Sequence, residues 1–219
     1  MLALSFVAMC MLCMAMVIVE GKKKLPRAIY ATLKIMAATL FVAVGVARAG
    51  IESDASRLFV AALVLSWLGD VLLIPKGHKR VFLGGLVAFL LAHVMYVPAF
   101  IARGVDVTAL IAAAVVTILP ITVVLRWLRP KVTGTMGYAV VAYVFVISAM
   151  LATAFGCVVS GAHTNGGVTP VLFVGALVFY LSDVMVARER FVSPGYINRV
   201  FGIPLYFFAQ LLLIAGFTS

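Results

Sequence analysis

Charge is what this sequence has least of. Only 11% of its 219 residues are Asp, Glu, Lys or Arg, and just seven are acidic. A soluble domain carries roughly 25% charged residues and roughly 45–50% apolar ones. Here 65% are hydrophobic and the mean hydropathy is +1.23. A soluble globular protein is thereby excluded, and no polar stretch leaves room for a soluble domain beside the apolar runs. Histidine is scarce as well. His78, His93 and His163 fall in a connector, a helix and an outer loop of the arrangement set out below, so they do not converge and a three-histidine zinc site is excluded. Of the three cysteines, Cys10 and Cys13 have redox spacing, but they sit inside an apolar helix with no companion motif. With Cys157 they read as small packing residues. Serine nucleophile elbows, phosphate loops and dinucleotide fingerprints are missing too. Nothing in the chain calls for a cofactor or a metal, so its chemistry rests on carboxylates, one imidazole and lysine.

What is present is a succession of apolar segments about 20 residues long, the length that crosses a bilayer as a helix. Spans are predicted at 2–19, 28–47, 57–74, 81–101, 107–127, 135–157, 168–187 and 198–217. The fold class is therefore an all-α polytopic membrane helix bundle of eight transmembrane helices, with residues 1–219 as a single integral membrane domain. The first segment has no basic residue before it and no small-residue cleavage site, so it reads as a membrane helix rather than a signal peptide. Pro26, Pro75, Pro130 and Pro194 all fall near proposed ends, where proline costs little.

A formal charge of +10 would suggest nucleic acid in a soluble protein. In this chain the basic residues gather in short connectors, where they orient the helices, and no nucleic-acid partner is expected. Lys22, Lys23, Lys24 and Arg27 follow helix 1, and Lys76, Lys79 and Arg80 follow helix 3. Arg126, Arg129 and Lys131 close helix 5; Arg188, Arg190 and Arg199 lie between helices 7 and 8. The opposite connectors hold Arg48, Arg57 and Arg103, offset by Glu52, Asp54 and Asp106, and the 157–167 connector carries no charge. The positive-inside rule then places the odd connectors in the cytoplasm and both termini outside the cell membrane.

Two aspartates stand inside apolar runs: Asp70 in Trp67-Leu68-Gly69-Asp70 and Asp183 in Tyr180-Leu181-Ser182-Asp183. Each follows an aromatic by three residues and lies about five residues before the cytoplasmic end of its helix, roughly 7 Å deep at 1.5 Å per residue. Lys34 enters helix 2 from the same side. An ionisable group at such depth is a functional hypothesis by default. A buried Lys–Asp pair that merely sets helix register is the plain alternative, but one lysine does not neutralise two aspartates. Two carboxylates sharing a low-dielectric site do not both ionise freely, which is the arrangement of an acid paired with a base or nucleophile. Helix 4 adds His93 and Tyr96; helix 8 adds Tyr206 and Gln210. A weak parallel repeat relates helices 3–4 to helices 7–8. It aligns Asp70 with Asp183, Gly85 with Gly202, Phe89 with Tyr206, and Ala92-His93 with Ala209-Gln210.

With these residues assembled, the chain resembles the YhhN-like family of membrane proteins, which includes the transmembrane lysoplasmalogenases. The matching pieces are Gly69-Asp70, Phe82, Gly85, Phe89 and Ala92-His93 with Tyr96. Tyr143, Ile147-Ser148 and Met150 follow, then Ser182-Asp183, Ala187, Phe191, Tyr206 and Ala209-Gln210. One departure is visible: the family pattern in helix 2 looks like Lys-Pro, and here Lys34 is followed by Ile35. The resemblance implies a hydrolase of the vinyl-ether bond of lysoplasmalogens, with a lysophospholipid substrate drawn from the membrane lipids. Asp70 and Asp183 would share the catalysis, one donating a proton and the other stabilising the cation or activating water. His93, Tyr96 and Gln210 would position water or a glycerol hydroxyl. Lys34 would hold the phosphate or tune a carboxyl group. Trp67, Tyr180 and Tyr206 are read as substrate-binding or supporting residues, the first two because an aromatic face at i−3 from each aspartate stabilises cationic character nearby. A hydrolase of another lysophospholipid or ether lipid would use the same site. A proton-coupled transporter would also use paired membrane acids, although here they lie in one leaflet rather than at the midplane.

Overall fold

The computed structural model describes residues 2–21, 26–75, 77–164 and 169–219. Lys22, Lys23, Lys24 and Lys76 of the basic connectors, and Asn165, Gly166 and Gly167 of the outer loop, lie outside the described residues. Eight α-helices follow in order: α1 (Leu2–Gly21), α2 (Arg27–Ala49), α3 (Asp54–Leu72), α4 (Lys79–Ile101), α5 (Val107–Leu128), α6 (Gly134–Thr164), α7 (Val171–Ala187) and α8 (Tyr196–Phe217). Each belongs to a segment long and apolar enough to cross a membrane. The protein is thus an integral multi-pass membrane protein built entirely of helices among the described residues. The reason is solvation: inside a bilayer no water satisfies a free N–H or C=O, and a helix satisfies its own.

The termini of the helices use ordinary local chemistry. The Ser53 hydroxyl accepts the Ser56 N–H to open α3, and the Asp106 carboxylate accepts the Ala109 N–H at 2.7 Å to open α5. Pro26 precedes α2, and Gly50 ends it at φ +66°.

Three differences from the sequence expectation stand out. Helix α6 runs on to Thr164, so His163 belongs to its last turn and not to an outer loop. From Cys157 to Thr164 there is no proline and a single glycine, and nothing breaks the helix. Helix α3 stops at Leu72, which leaves Asp70 only about 3 Å of helical rise from its end. Beyond α7 the chain does not unwind at once; Arg188–Val192 forms a π-helical turn.

The helices pack in the same order in the two halves. α1 lies on α2, α2 on α3 and α3 on α4; α5 lies on α6, α6 on α7 and α7 on α8. The halves join where α1 and α2 meet α8 and where α4 meets α6. The aspartate-bearing helices α3 and α7 pack on helices of their own halves, and side chains reach their carboxylates from the other half: Tyr206 of α8 to Asp70 and His93 of α4 to Asp183. An aromatic core closes the end of the bundle away from the aspartates. Phe59 on α3 stacks on Phe217 on α8 at 4.1 Å between centroids, with Tyr96 and Phe100 of α4 against them. Helix α1 joins the outside through a single stripe, Ser5, Met9, Cys13 and Met16, spaced to fall on one face.

The tightest seam is α7 against α8. A Cβ on Gly216 would lie 2.2 Å from the Leu172 backbone nitrogen, so the two backbones touch, as small residues allow in membrane helices. Gly216→Ala is expected to push the helices apart and cost about 1–3 kcal/mol. Thermal unfolding in detergent checks this; an unchanged midpoint would mean that the seam is looser than described.

Candidate functional site

The open end of the bundle, at the C-terminal ends of α3, α5 and α7, holds a cavity of about 540 Å³. Both aspartates line it, together with Lys34 and Tyr30 of α2, Tyr143 of α6, Tyr180 of α7 and Tyr206 of α8. The two carboxylates are thus brought to one space, but their surroundings differ.

Asp70 is buried and paired with a cation. Lys34 Nζ lies 3.1 Å from its Oδ1, and the Tyr206 hydroxyl donates to its Oδ2 at 2.6 Å. Behind Tyr206 the bonds continue inward: Gln210 Nε2 donates to the Tyr206 oxygen at 3.4 Å, and the Tyr96 hydroxyl donates to Gln210 Oε1 at 2.8 Å. The glycine of Gly69-Asp70 has a local reason. A Cβ there would sit 2.6 Å from the Phe89 ring. Phe89 lies flat on α3 only because that atom is missing, and its ring meets Tyr206 edge-on at 5.6 Å. Gly69 therefore helps aim the Tyr206 hydroxyl at its neighbour Asp70.

Asp183 has neutral company. The Tyr143 hydroxyl donates to its Oδ2 at 2.8 Å, and His93 Nε2 stands 3.8 Å from the same oxygen. Among the described residues no lysine or arginine lies within ion-pair distance of it. The histidine's tautomer follows from its other nitrogen. Nδ1 is 2.6 Å from the Phe89 carbonyl oxygen; a carbonyl only accepts, so Nδ1 carries the proton. In the neutral ring Nε2 then presents a lone pair toward Asp183, a geometry that accommodates a protonated carboxyl better than an ionised one.

The residues singled out from sequence separate into three groups. Asp70, Asp183, Lys34, Tyr180 and Tyr206 line the cavity. His93, Tyr96 and Gln210 do not: all three are wholly buried behind it, and they touch the carboxylates directly or through Tyr206. Trp67 is turned elsewhere, with its Nε1 donating to Thr39 Oγ1 of α2 at 3.2 Å. Standing three residues before Asp70 puts it about 60° round the helix, enough to point it toward α2. Tyr143 entered the sequence analysis only through the family pattern and was given no role there. The one signal for it is a hydroxyl in an otherwise apolar run.

Residue order alone does not mark the mouth of the cavity. Glu189, in the π-helical turn, accepts from the Gly195 N–H at 2.7 Å and from Asn198 Nδ2 at 2.9 Å, and it pairs with Arg199. Arg199 also reaches Glu20 of α1, Nε to Oε2 at 3.0 Å, and Arg188 donates to Asn198. These bonds tie the segment joining α7 and α8 over the cavity rim.

Fold and site together define a polytopic membrane protein with two inequivalent carboxylates in one cavity at one end of the bundle. The chain belongs to the YhhN family, whose model matches residues 28–217. Curated relatives include the lysoplasmalogenase TMEM86A of Bos taurus, 30% identical over 161 residues, covering 73% of this chain and 64% of that one. The lysoplasmalogenase TMEM86A of Homo sapiens is 32% identical, with the same coverage. The lysoplasmalogenase of Mycobacterium tuberculosis is 30% identical over 168 residues, covering 74% of this chain and 60% of that one. The chain thus spans a little over three fifths of the length of the curated relatives it matches. No solved structure gives a significant match.

Proposed function

We propose that this protein hydrolyses the vinyl-ether bond of lysoplasmalogens, releasing a fatty aldehyde and a glycerophospho-base. The family and the names of its relatives support that substrate. The observation that carries the reading is the asymmetry of the two carboxylates in one cavity: Asp70 is paired with Lys34, while among the described residues Asp183 has only Tyr143 and His93. That asymmetry divides the labour the reaction needs.

Asp183 is the acid. It donates its proton to the vinyl carbon one removed from the ether oxygen, leaving an oxocarbenium ion in which the ether oxygen and its adjacent carbon share the positive charge. Asp70, 3.1 Å from Lys34 Nζ, lies on the same cavity and stabilises that charge. Water then adds to the oxocarbenium carbon and gives up a proton to a carboxylate. The resulting hemiacetal collapses: its hydroxyl gives up its proton, the carbon–oxygen bond to glycerol breaks, that proton is passed to the glycerol oxygen, and the aldehyde leaves. One water is consumed and both carboxyl groups regain their starting states. The logic is that of glycoside cleavage, where two carboxyl groups serve one oxocarbenium ion.

The arginines at the cavity's end, Arg190 and Arg199, favour the cytoplasmic side of the cell membrane for this mouth, with both termini on the far side. A lipid whose ether bond sits just below its headgroup meets the carboxylates at that depth.

The test is a substrate panel: a lysoplasmalogen, its acyl analogue and its saturated ether analogue offered to the purified protein. Aldehyde is expected from the first alone. Acyl cleavage without aldehyde would make the protein a lysophospholipase, and proton-coupled uptake in proteoliposomes without hydrolysis would make it a transporter. Tyr143→Phe is expected to lower kcat about tenfold with KM little changed, because one hydrogen bond to a carboxyl group is lost. An unaltered kcat would remove Tyr143 from the site.

A further inference from the structure

Three arginines crowd the segment between α7 and α8, and two of them are committed to structure. Arg188 bonds Asn198, and Arg199 pairs with Glu20 and Glu189. Arg190 differs. It lines the cavity, its guanidinium lies 4.1 Å above the centre of the Phe82 ring, and it is exposed. No carboxylate among the described residues lies within ion-pair distance of it. The backbone that carries it is the π-helical turn Arg188–Val192, a distortion that recurs at functional sites. Glu189, the next residue back, anchors that turn to Gly195, Asn198 and Arg199. A ring beneath a guanidinium leaves its N–H edge free for a second partner while holding its plane.

Lys34, the cation the sequence offered for a phosphate, is occupied by Asp70 deeper in the cavity. Among the described residues lining the cavity, the cation left at the rim is Arg190, seven residues beyond Asp183. In an extended glycerophospholipid the phosphorus lies seven bonds from the vinyl carbon that takes the proton, roughly 8–9 Å at ordinary bond lengths, so a phosphate held at the mouth leaves that carbon deeper in the same cavity, on the side of Asp183.

We propose that Arg190 is the phosphate-binding residue of this site. It takes the phosphodiester of a glycerophospholipid headgroup at the cavity mouth, through a planar pair of N–H donors, and so sets how deep the chain-bearing end enters. Phe82 beneath it and the Glu189 anchor behind it hold the guanidinium in place. The proposal rests on the lysolipid reading of the site, and its test is arranged so that the two can fail separately.

The binding arm uses two lipids that cannot be hydrolysed at the ether bond: a saturated alkyl-ether lysophosphocholine and the corresponding alkylglycerol, which has no phosphate. Affinity is measured in detergent for the unaltered protein and for Arg190→Gln, Arg190→Lys and Arg126→Gln, whose exposed side chain does not line the cavity. Arg190→Gln is expected to weaken the phospholipid by about tenfold or more. It should leave the alkylglycerol within about twofold, while Arg190→Lys recovers part of the loss and Arg126→Gln matches the unaltered protein. Equal weakening of both lipids, no weakening of either, or no preference of the unaltered protein for the phospholipid would overturn the assignment. The turnover arm offers a lysoplasmalogen and the matching alkenylglycerol, and Arg190→Gln is expected to raise KM for the first alone with kcat preserved. Absence of aldehyde from the unaltered protein would overturn the hydrolase reading, and the binding arm would still decide Arg190.

Discussion

Asp183→Asn is expected to lower aldehyde release by about a hundredfold to ten-thousandfold, the usual scale for removing a positioned general acid. Affinity for the saturated ether analogue should be kept. The amide has the size of the carboxyl group and can still accept from Tyr143, whose hydroxyl now donates to Asp183 Oδ2. It has no proton to give to carbon. Protonation at carbon is the hard step of vinyl-ether cleavage, because it creates the oxocarbenium ion. His93 is buried behind Asp183 and its Nδ1 proton is committed to the Phe89 carbonyl. The measurement is kcat and KM for the lysoplasmalogen, with thermal unfolding as the control for folding. If a folded Asp183→Asn variant keeps activity within about tenfold of the unaltered protein, another group is the acid.

Lys34→Met is expected to damage both stability and turnover, and a second substitution separates the two effects. Lys34 and Asp70 are 12% and 3% exposed at their side chains and lie 3.1 Å apart. Removing one partner of such a buried pair leaves an uncompensated charge and costs about 3–5 kcal/mol, whereas replacing both by neutral groups is often tolerated. Adding Asp70→Asn to Lys34→Met should therefore restore much of the unfolding midpoint lost in the single variant. It should not restore aldehyde release, since the carboxylate that stabilises the cation is gone. Recovery of both would reduce the pair to a device for helix register. Recovery of neither would mean that Asp70 and Lys34 are not each other's main partner.

The split between these variants mirrors what could be foreseen from residue order. Two aspartates in apolar runs are conspicuous wherever they stand, and their family pattern named the same pair. Tyr143, by contrast, is one tyrosine among seven, and only the packing of α6 on α7 puts its hydroxyl on Asp183. The same holds for Trp67 and Tyr180. Both stand three residues before an aspartate, yet Tyr180 reaches the cavity and Trp67 turns to Thr39 of α2. A shared spacing fixes an angle about one helix axis and says nothing of what lies across from it. The rim was illegible for a related reason. Connector arginines look alike in sequence, and it takes the π-helical turn and the positions of Glu20, Glu189 and Asn198 to commit two of them and leave Arg190 facing the cavity.

The sequence by itself determined the number and type of elements, because lipid leaves a backbone no alternative to satisfying its own hydrogen bonds, and twenty apolar residues in a row state that requirement locally. It also marked the two carboxyl groups, because a charge in such a run is costly wherever the helix ends up. Only the tertiary structure decided which acid meets Lys34 and which meets Tyr143 and His93. Those partners come from α2, α8, α6 and α4, up to 136 residues away along the chain, and their meeting depends on how each helix is rotated against its neighbours. Rotation is set by side-chain packing across the whole bundle, and no stretch of one helix contains it.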